Sequence, residues 1–526
     1  MFDMKITGAK IFDGAGTPFY FADVAVKDGK ICAVGKNIEG RAAREIDARG
    51  MALSPGFIDA HSHIDIVMDQ LFDAKHKLEQ GVTTEVSGSC GMSPAPLSQK
   101  HYRDGLRASS RLDDCDFQPH TRASYRAFMD AVNINYGANM LLQIGHGTAR
   151  AAVCGYADRA LDSGELEQLK GYIAEAMEAG VSGVSFGLIY PPGAYAGEAE
   201  LAEVSKVVAS YGGVFTTHMR NEGSKLVESV EETIRIAESS GCRGVISHHK
   251  ASGKANHGKT ERTLQLIEEA NARGVEIFLD QYPYNASSTG LSTMIPTHMH
   301  ALGIDKLVEM MTSREGRLEM RRQIEIDRGV PPGGDVSSGL DHIMIASSNS
   351  HPQFDGTMLH DAAKQAGADP LELMLDILRD DRISTGAIYF TMGEEDIERV
   401  MKYPRTMVGT DGLYEPGKMC HPRAIGTFPR FLGRYVRDKG LMTMEEGIRR
   451  ITSMPAAVHG LSGKGLIKPG MDADLVLFNP ETIIDNATYK DYAAPNTGIE
   501  AVFVAGQPAV LQGVATGVLA GRLIRR

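Results

Sequence analysis

Val184-Ser185-Phe186-Gly187-Leu188, Val214-Phe215-Thr216-Thr217-His218, Gly244-Val245-Ile246-Ser247-His248 and Glu276-Ile277-Phe278-Leu279-Asp280 are four short apolar runs that begin 30, 30 and 32 residues apart. Each interval has room for one β-strand, one helix and two short loops. The gaps read as helices. Between Asp162 and Gly180, apolar Leu166, Leu169, Ile173, Ala176 and Met177 recur at helical spacing behind an Asp162/Glu165 capping box. Gly180 supplies the stop. Comparable strands are expected at 57–63, 83–88, 140–145 and 406–411, which brings the number to eight. An α/β fold of the (β/α)8 TIM-barrel type follows, with its site at the C-terminal ends of the strands.

Two pieces lie outside this eight-fold pattern. Residues 1–54 alternate in short strands with turn signals such as Asp28-Gly29, and the C-terminal stretch repeats that character in Asp474-Leu475-Val476-Leu477-Phe478. A small β-sandwich built from both termini, 1–54 with 465–526, is expected beside a barrel spanning 55–464. The stretch of about 290–405 is too long for a βα connection. It carries charged helical sequence at 307–326, the loop Pro331-Pro332-Gly333-Gly334 and a strand candidate at 342–346. It reads as an inserted, lid-like subdomain over the barrel mouth.

Composition narrows the class. The 526 residues are 42% hydrophobic, with a net charge of −12 and a pI near 5.8, and no cluster of five basic residues. Nucleic-acid and anionic-membrane partners are therefore not expected. The first residues hold charges and no long apolar stretch, so neither a signal peptide nor a spanning helix is expected, and a cytoplasmic location follows. The cysteines (32, 90, 115, 154, 242 and 420) form no CxxC pair. They read as reduced thiols, all packing residues except Cys90.

Chemistry gathers where strands end. Asp59-Ala60-His61-Ser62-His63 places two histidines one residue apart, hence on one face of a strand. Ser87-Gly88-Ser89-Cys90-Gly91, Thr217-His218-Met219, Ser247-His248-His249-Lys250 and Thr410-Asp411-Gly412 close four other strands. Imidazoles, a thiolate and a carboxylate are a ligand set suited to zinc. A structural zinc site would instead draw its ligands from nearby sequence. Asp411 is the candidate general base and acid, and Asp65 a candidate partner orienting a histidine. His146, His257, His298, His300 and His351 stay open between site contacts and ordinary hydrogen bonds.

Pro55-Gly56-Phe57-Ile58-Asp59-Ala60-His61-Ser62-His63, Gly145-His146-Gly147-Thr148, Gly187-Leu188-Ile189-Tyr190-Pro191-Pro192-Gly193, Ser247-His248-His249-Lys250, Tyr282-Pro283-Tyr284, Gly409-Thr410-Asp411-Gly412 and His421-Pro422-Arg423 together carry a family resemblance. The chain is similar, nearly end to end, to the N-acyl-D-amino-acid deacylases (D-aminoacylases) of the amidohydrolase superfamily. The resemblance implies zinc-dependent hydrolysis of a small N-acyl-D-amino acid, by metal-activated water with Asp411 as proton shuttle. It implies a tight zinc site of Cys90, His218 and His248, selecting His248 over His249. It implies a weaker second site of His61, His63 and Asp411, with Cys90 able to bridge. Tyr190, Lys250, Tyr282, Ser288 and Arg423 would hold the substrate carboxylate.

Ser287 to Met299 contains no Arg or Lys, and Leu291, Met294 and Ile295 could form an apolar wall. A neutral or hydrophobic substrate side chain is therefore expected. Two other readings share the barrel. A cyclic-amide hydrolase of the hydantoinase or dihydroorotase kind is disfavoured by Cys90, where many relatives use a carboxylated lysine, and by Tyr-Pro-Pro-Gly. A non-catalytic assembly protein on a degenerate barrel is disfavoured by the complete ligand set. The sequence leaves open a monomer or a homo-oligomer.

Overall fold

A computed structural model describes residues 1–68, 70–109, 122–329 and 339–526. Cys115 and the Pro331-Pro332-Gly333-Gly334 loop lie outside the described residues. Eight parallel strands form the barrel: β1 (Phe57–Asp59), β2 (Val82–Ser87), β3 (Asn139–Leu142, resumed at Ile144–Gly145), β4 (Gly183–Gly187), β5 (Val214–His218), β6 (Arg243–Ile246), β7 (Ile277–Gln281) and β8 (Thr406–Val408). Each pairs in parallel with the next, as in Gly187 with His218 and Leu279 with Thr406. Closure runs from β8 back to β1 through a parallel Ser62–Gly412 bridge and an Ala60 N–H to Val408 C=O bond of 3.3 Å. Nearly every strand residue is buried, because one face fills the barrel and the other meets helices.

The local signals explain the elements. Helix Ser163–Ala179 begins with the reciprocal capping box of Asp162 and Glu165 and ends at Gly180, whose φ of 102° is left-handed. Its buried face is Leu169, Ile173, Ala176, Met177 and Ala179. The charged helical stretch of 307–326 falls in two helices, Ile304–Thr312 and Arg314–Arg328. Ser313 divides them because its side chain accepts from the Gly316 N–H and caps the second helix.

Both termini enter one hydrogen-bonded sheet of nine strands. Strand Ala52–Pro55 joins the two contributions, parallel to Phe2–Ile11 and antiparallel to Leu475–Phe478. Side-chain alternation sends Met4, Ile6, Leu475 and Phe503 into one core, and Val476, Phe478 and Val502 toward Phe57 and Phe428 of the barrel. The last strand, Gly521–Ile524, departs from the expected boundary at 526 and pairs with Met140–Leu141 of β3. It fills the edge left free because β4 pairs only with Ile144–Gly145.

The insertion has its own core and an antiparallel sheet ordered Ser287–Gly290, Gly386–Tyr389, Ile343–Ser347, Thr357–Met358. Its first strand begins before residue 290 and reaches the barrel mouth. Among the described residues, no helix is long and apolar enough to cross a membrane. Cys154, Cys242 and Cys420 are buried as expected. Cys32 is exposed, since its strand turns that side chain to solvent.

Beneath the mouth, buried Lys77 ties the strand ends together. Its ammonium lies 2.6 Å from Asp59 and 3.0 Å from Glu85, and donates to Thr410 Oγ1 at 2.9 Å. Asp59 in turn accepts from the His61 and Thr410 N–H groups at 3.2 and 2.8 Å. Lys77→Met would strand two buried carboxylates. A loss of about 3–5 kcal/mol is expected, read as a lower denaturation midpoint of the metal-free protein. An unchanged midpoint would show that these carboxylates are satisfied without Lys77.

Candidate metal centre and active site

Six candidate ligands converge at the C-terminal end of the barrel. His61 and His63 follow β1, Cys90 follows β2, His218 ends β5, His248 follows β6 and Asp411 follows β8. Cys90, His248 and Asp411 have left-handed backbones, with φ of 53°, 37° and 46°. Such conformations cost energy in non-glycine residues and persist where the surroundings fix them. Here the His248 N–H donates to Asp280 Oδ1 at 2.7 Å and the Asp411 N–H to the His61 carbonyl at 2.9 Å. Around Cys90 the packing is close enough to require glycine. A Cβ on Gly187 would sit 2.0 Å from the Cys90 carbonyl oxygen, and one on Gly88 2.2 Å from that of Gln143.

The donor atoms form two sets joined at the thiol. Cys90 Sγ lies 3.7 Å from His218 Nδ1 and 3.5 Å from His248 Nε2. It is also 3.4 Å from His61 Nε2, while Asp411 Oδ1 is 3.5 Å from His61 Nε2 and 3.1 Å from His63 Nε2. Within each set, all ligand atoms lie within 4.8 Å of one another. A tetrahedral zinc with bonds of about 2.3 Å to sulfur and 2.0–2.1 Å to nitrogen needs S···N edges of about 3.6 Å. The residues fit that ion.

The electrostatics agree. Burial holds His218 and His248 well below the ordinary imidazole range, so both are neutral and able to ligate. Burial also raises the Cys90 thiol, so a cation is needed to bring out the thiolate. Asp411 would be raised by burial, yet the Arg423 guanidinium, with the contact from His63, holds it well below the usual carboxylate range. Burial opposes protonation of His61, but Asp280 and Cys90 outweigh it and push the imidazole up.

The carboxylates behind the histidines escaped the sequence reading. Glu222 Oε1 is 2.9 Å from His248 Nδ1, which also lies 2.7 Å from Lys250 Nζ, while the other Glu222 oxygen, 3.7 Å from His218 Nε2, stays beyond hydrogen-bond reach. Asp280 Oδ2 is 3.3 Å from His61 Nδ1. Such partners fix which nitrogen faces the metal. Glu222 stands four residues after His218, and Asp280 is the one charge closing an apolar run. Both were available signals. Asp65, by contrast, orients no histidine. It accepts from Ser87 Oγ and the Gly88 N–H at 2.5 and 3.0 Å, holding the turn before Cys90, and burial pushes its pKa up to about 6.

The pocket is lined by the ligand cluster together with Tyr190, Glu222, Lys250, Tyr282, Ser287, Ser288 and Thr289, and by apolar Met92, Ile189 and Leu413. Tyr190 Oη is 3.0 Å from Thr289 Oγ1, linking the barrel to the insertion. Lys250 pairs with Glu222 and donates to the His248 carbonyl at 2.9 Å. Arg423 lies over the Tyr282 ring at 4.4 Å, with Nη1 2.8 Å from Asp411 Oδ2 and Nη2 donating to the Ser288 carbonyl at 3.0 Å. Its Nε has no hydrogen-bond acceptor among the described residues.

The expected apolar wall is corrected. Leu291 and Ile295 pack into the insertion's own core with Met294 beside them, so they form no pocket wall. Their strand-to-turn segment faces the helices Ile304–Thr312 and Arg314–Arg328 rather than the barrel. His146 is bound to buried Glu200 at 2.9 Å and His249 to Thr263 at 2.8 Å, both away from the pocket. His257, His300 and His351 are engaged with Thr391, Ser292 and Asp380.

The Amidohydrolase family profile matches residues 44–510. The chain is 35% identical over 526 residues to the D-aminoacylase of Alcaligenes xylosoxydans xylosoxydans, covering 100% of this chain and 98% of that one. The crystal structure of N-acyl-D-glutamate deacylase from Bordetella bronchiseptica, complexed with zinc and a phosphonate mimic of the tetrahedral intermediate, matches with a TM-score of 0.84 at 34% identity, covering 100% of both chains. A D-aminoacylase structure described by its binuclear metal centre, with one-metal activation and second-metal attenuation, matches at 0.82 and 33%, again over 100% of both.

Proposed function

This chain belongs to the amidohydrolase family, in its D-aminoacylase branch, and on that premise we propose that it hydrolyses N-acyl-D-amino acids to a carboxylate and a free D-amino acid. The observation that carries the reading is the tetrahedral fit of Cys90, His218 and His248, with S···N edges of 3.7 and 3.5 Å. These three would hold zinc tightly, and His61, His63 and Asp411 would hold a second ion more weakly while sharing Cys90. When bound, zinc supplies a water whose pKa is lowered to roughly 7.

The chain's own groups do the rest. Asp411 Oδ1 faces the ligand cluster, where it takes a proton from the attacking water and returns it to the leaving nitrogen. Glu222 and Lys250 both meet His248 at Nδ1, which leaves Nε2 to point at Cys90. Lys250, Arg423, Tyr190, Tyr282 and Ser288 hold the substrate α-carboxylate. Arg423 brings a buried Nε–H that lacks an acceptor, which a carboxylate would satisfy.

Side-chain preference follows from which charges are already matched. Among the described residues, the cations at the pocket are Lys250 and Arg423, already paired with Glu222 and Asp411 and committed to the α-carboxylate, so neither is left for a second carboxylate. The remaining wall of Met92, Ile189 and Leu413 is apolar. A neutral side chain fits, and an unpaired carboxylate there would be costly.

The test is kcat/KM for N-acetyl-D- and N-acetyl-L-amino acids with zinc-quantified protein. With the carboxylate clamped and the carbonyl fixed, inverting the α-carbon forces loss of one contact. Discrimination of about 100-fold or more for the D series is expected. Equal rates on N-acetyl-D- and N-acetyl-L-leucine would refute the reading. Preference for D-glutamate over D-methionine would overturn the side-chain assignment alone.

A further inference from the structure

We propose that Arg423 sets the weakness of the second metal position: its guanidinium competes with a divalent ion for Asp411. The inference rests on the two-site reading above and concerns what separates the two sites. Each has a buried cation behind it, and the cations are neutralised differently. Lys250, 3% exposed, is matched by Glu222, which is no member of either ligand set, and it meets His248 only at Nδ1, so Nε2 and the thiol of the first site stay free for metal. Arg423, 1% exposed, is matched by Asp411, which is itself a ligand of the second site.

The geometry makes that competition direct. Asp411 offers Oδ1 to the cluster, 3.1 Å from His63 Nε2, while Oδ2 lies 2.8 Å from Arg423 Nη1. Arg423 has no easy way to withdraw. Its Nη2 is bonded to the Ser288 carbonyl and its plane lies over Tyr282. An ion entering the second site must therefore share one carboxylate with a fixed positive charge in a poorly screened interior. Cys90 relieves this little, because its charge is shared with the first site. Asp280 behind His61 offsets part of the repulsion, which leaves a weak site rather than none.

The experiment is a chelator-buffered Zn2+ titration of the protein carrying its first zinc, at about pH 8, where an unperturbed carboxylate is fully ionised. Arg423→Met is expected to tighten the second-ion Kd by roughly tenfold or more, while the first zinc stays stoichiometric. Arg423→Lys keeps the charge and is expected to keep the weak site. Should Arg423→Met fail to retain the first zinc, Arg423→Gln replaces it under the same criterion. An unchanged or weaker second Kd would overturn the proposal, as would equal tightening in the Lys variant. Absence of any tight zinc in the parent protein is a different outcome, and it would sink the metal-centre reading instead.

Discussion

Cys90→Ala is expected to strip the tightly bound zinc and abolish turnover. Cys90 is the one anionic donor in its set, and the other two members, His218 and His248, are neutral. Removing it leaves two imidazoles, too few to hold zinc against water. Loss of an outer-sphere partner alone costs roughly 10–100-fold in metal affinity, and loss of the charged ligand should exceed that. The same thiol also lies 3.4 Å from His61, so the second position loses its bridge as well. Cys90→Ser should fare little better, because a serine hydroxyl stays protonated where the thiol can yield its proton to a metal. Elemental analysis after dialysis decides it. Unchanged zinc content in Cys90→Ala would remove the assigned centre, whatever the activity did.

Sequence was a good guide where one residue type at one kind of position carries the chemistry. His61, Cys90, His218, His248 and Asp411 each close an apolar run, and the barrel brings strand ends together. Runs spaced by about thirty residues therefore implied convergence before any coordinates. Residues that act through others were harder to see. Lys77 lies in ordinary charged sequence, Asp59 and Glu85 are lone charges within strands, and only the packing of the strand ends reveals that they bind β1, β2 and the end of β8 to one another. Leu291 and Ile295 were misleading for the opposite reason. They follow a pocket strand directly, yet one turn carries them into the insertion's core. Nearness in sequence to a site residue says little once a chain changes direction. Arg423 was found by its motif, but its pairing with Asp411 is a fact of packing between the end of β8 and the helix that follows it.

Asp411→Asn should separate holding metal from using it. Asp411 belongs to the second ligand set only, so the first zinc should remain at parental content. Asparagine is nearly isosteric and can still accept from Arg423, so the pocket should keep its shape. What it cannot do is take a proton. General acid–base catalysis contributes about 10²–10⁴-fold, and kcat is expected to fall within that range while KM moves little. The parental carboxylate is well placed for the task because the Arg423 guanidinium holds it ionised despite burial. A low pKa makes a weak base, but one that is always available at neutral pH and sits beside the cluster at 3.1 Å from His63. A kcat within tenfold of the parent, with zinc intact, would mean that the proton leaves by another route. Among the groups near the cluster, Glu222 would then be the carboxylate to examine, since it faces the same pocket from the opposite side of the two histidines.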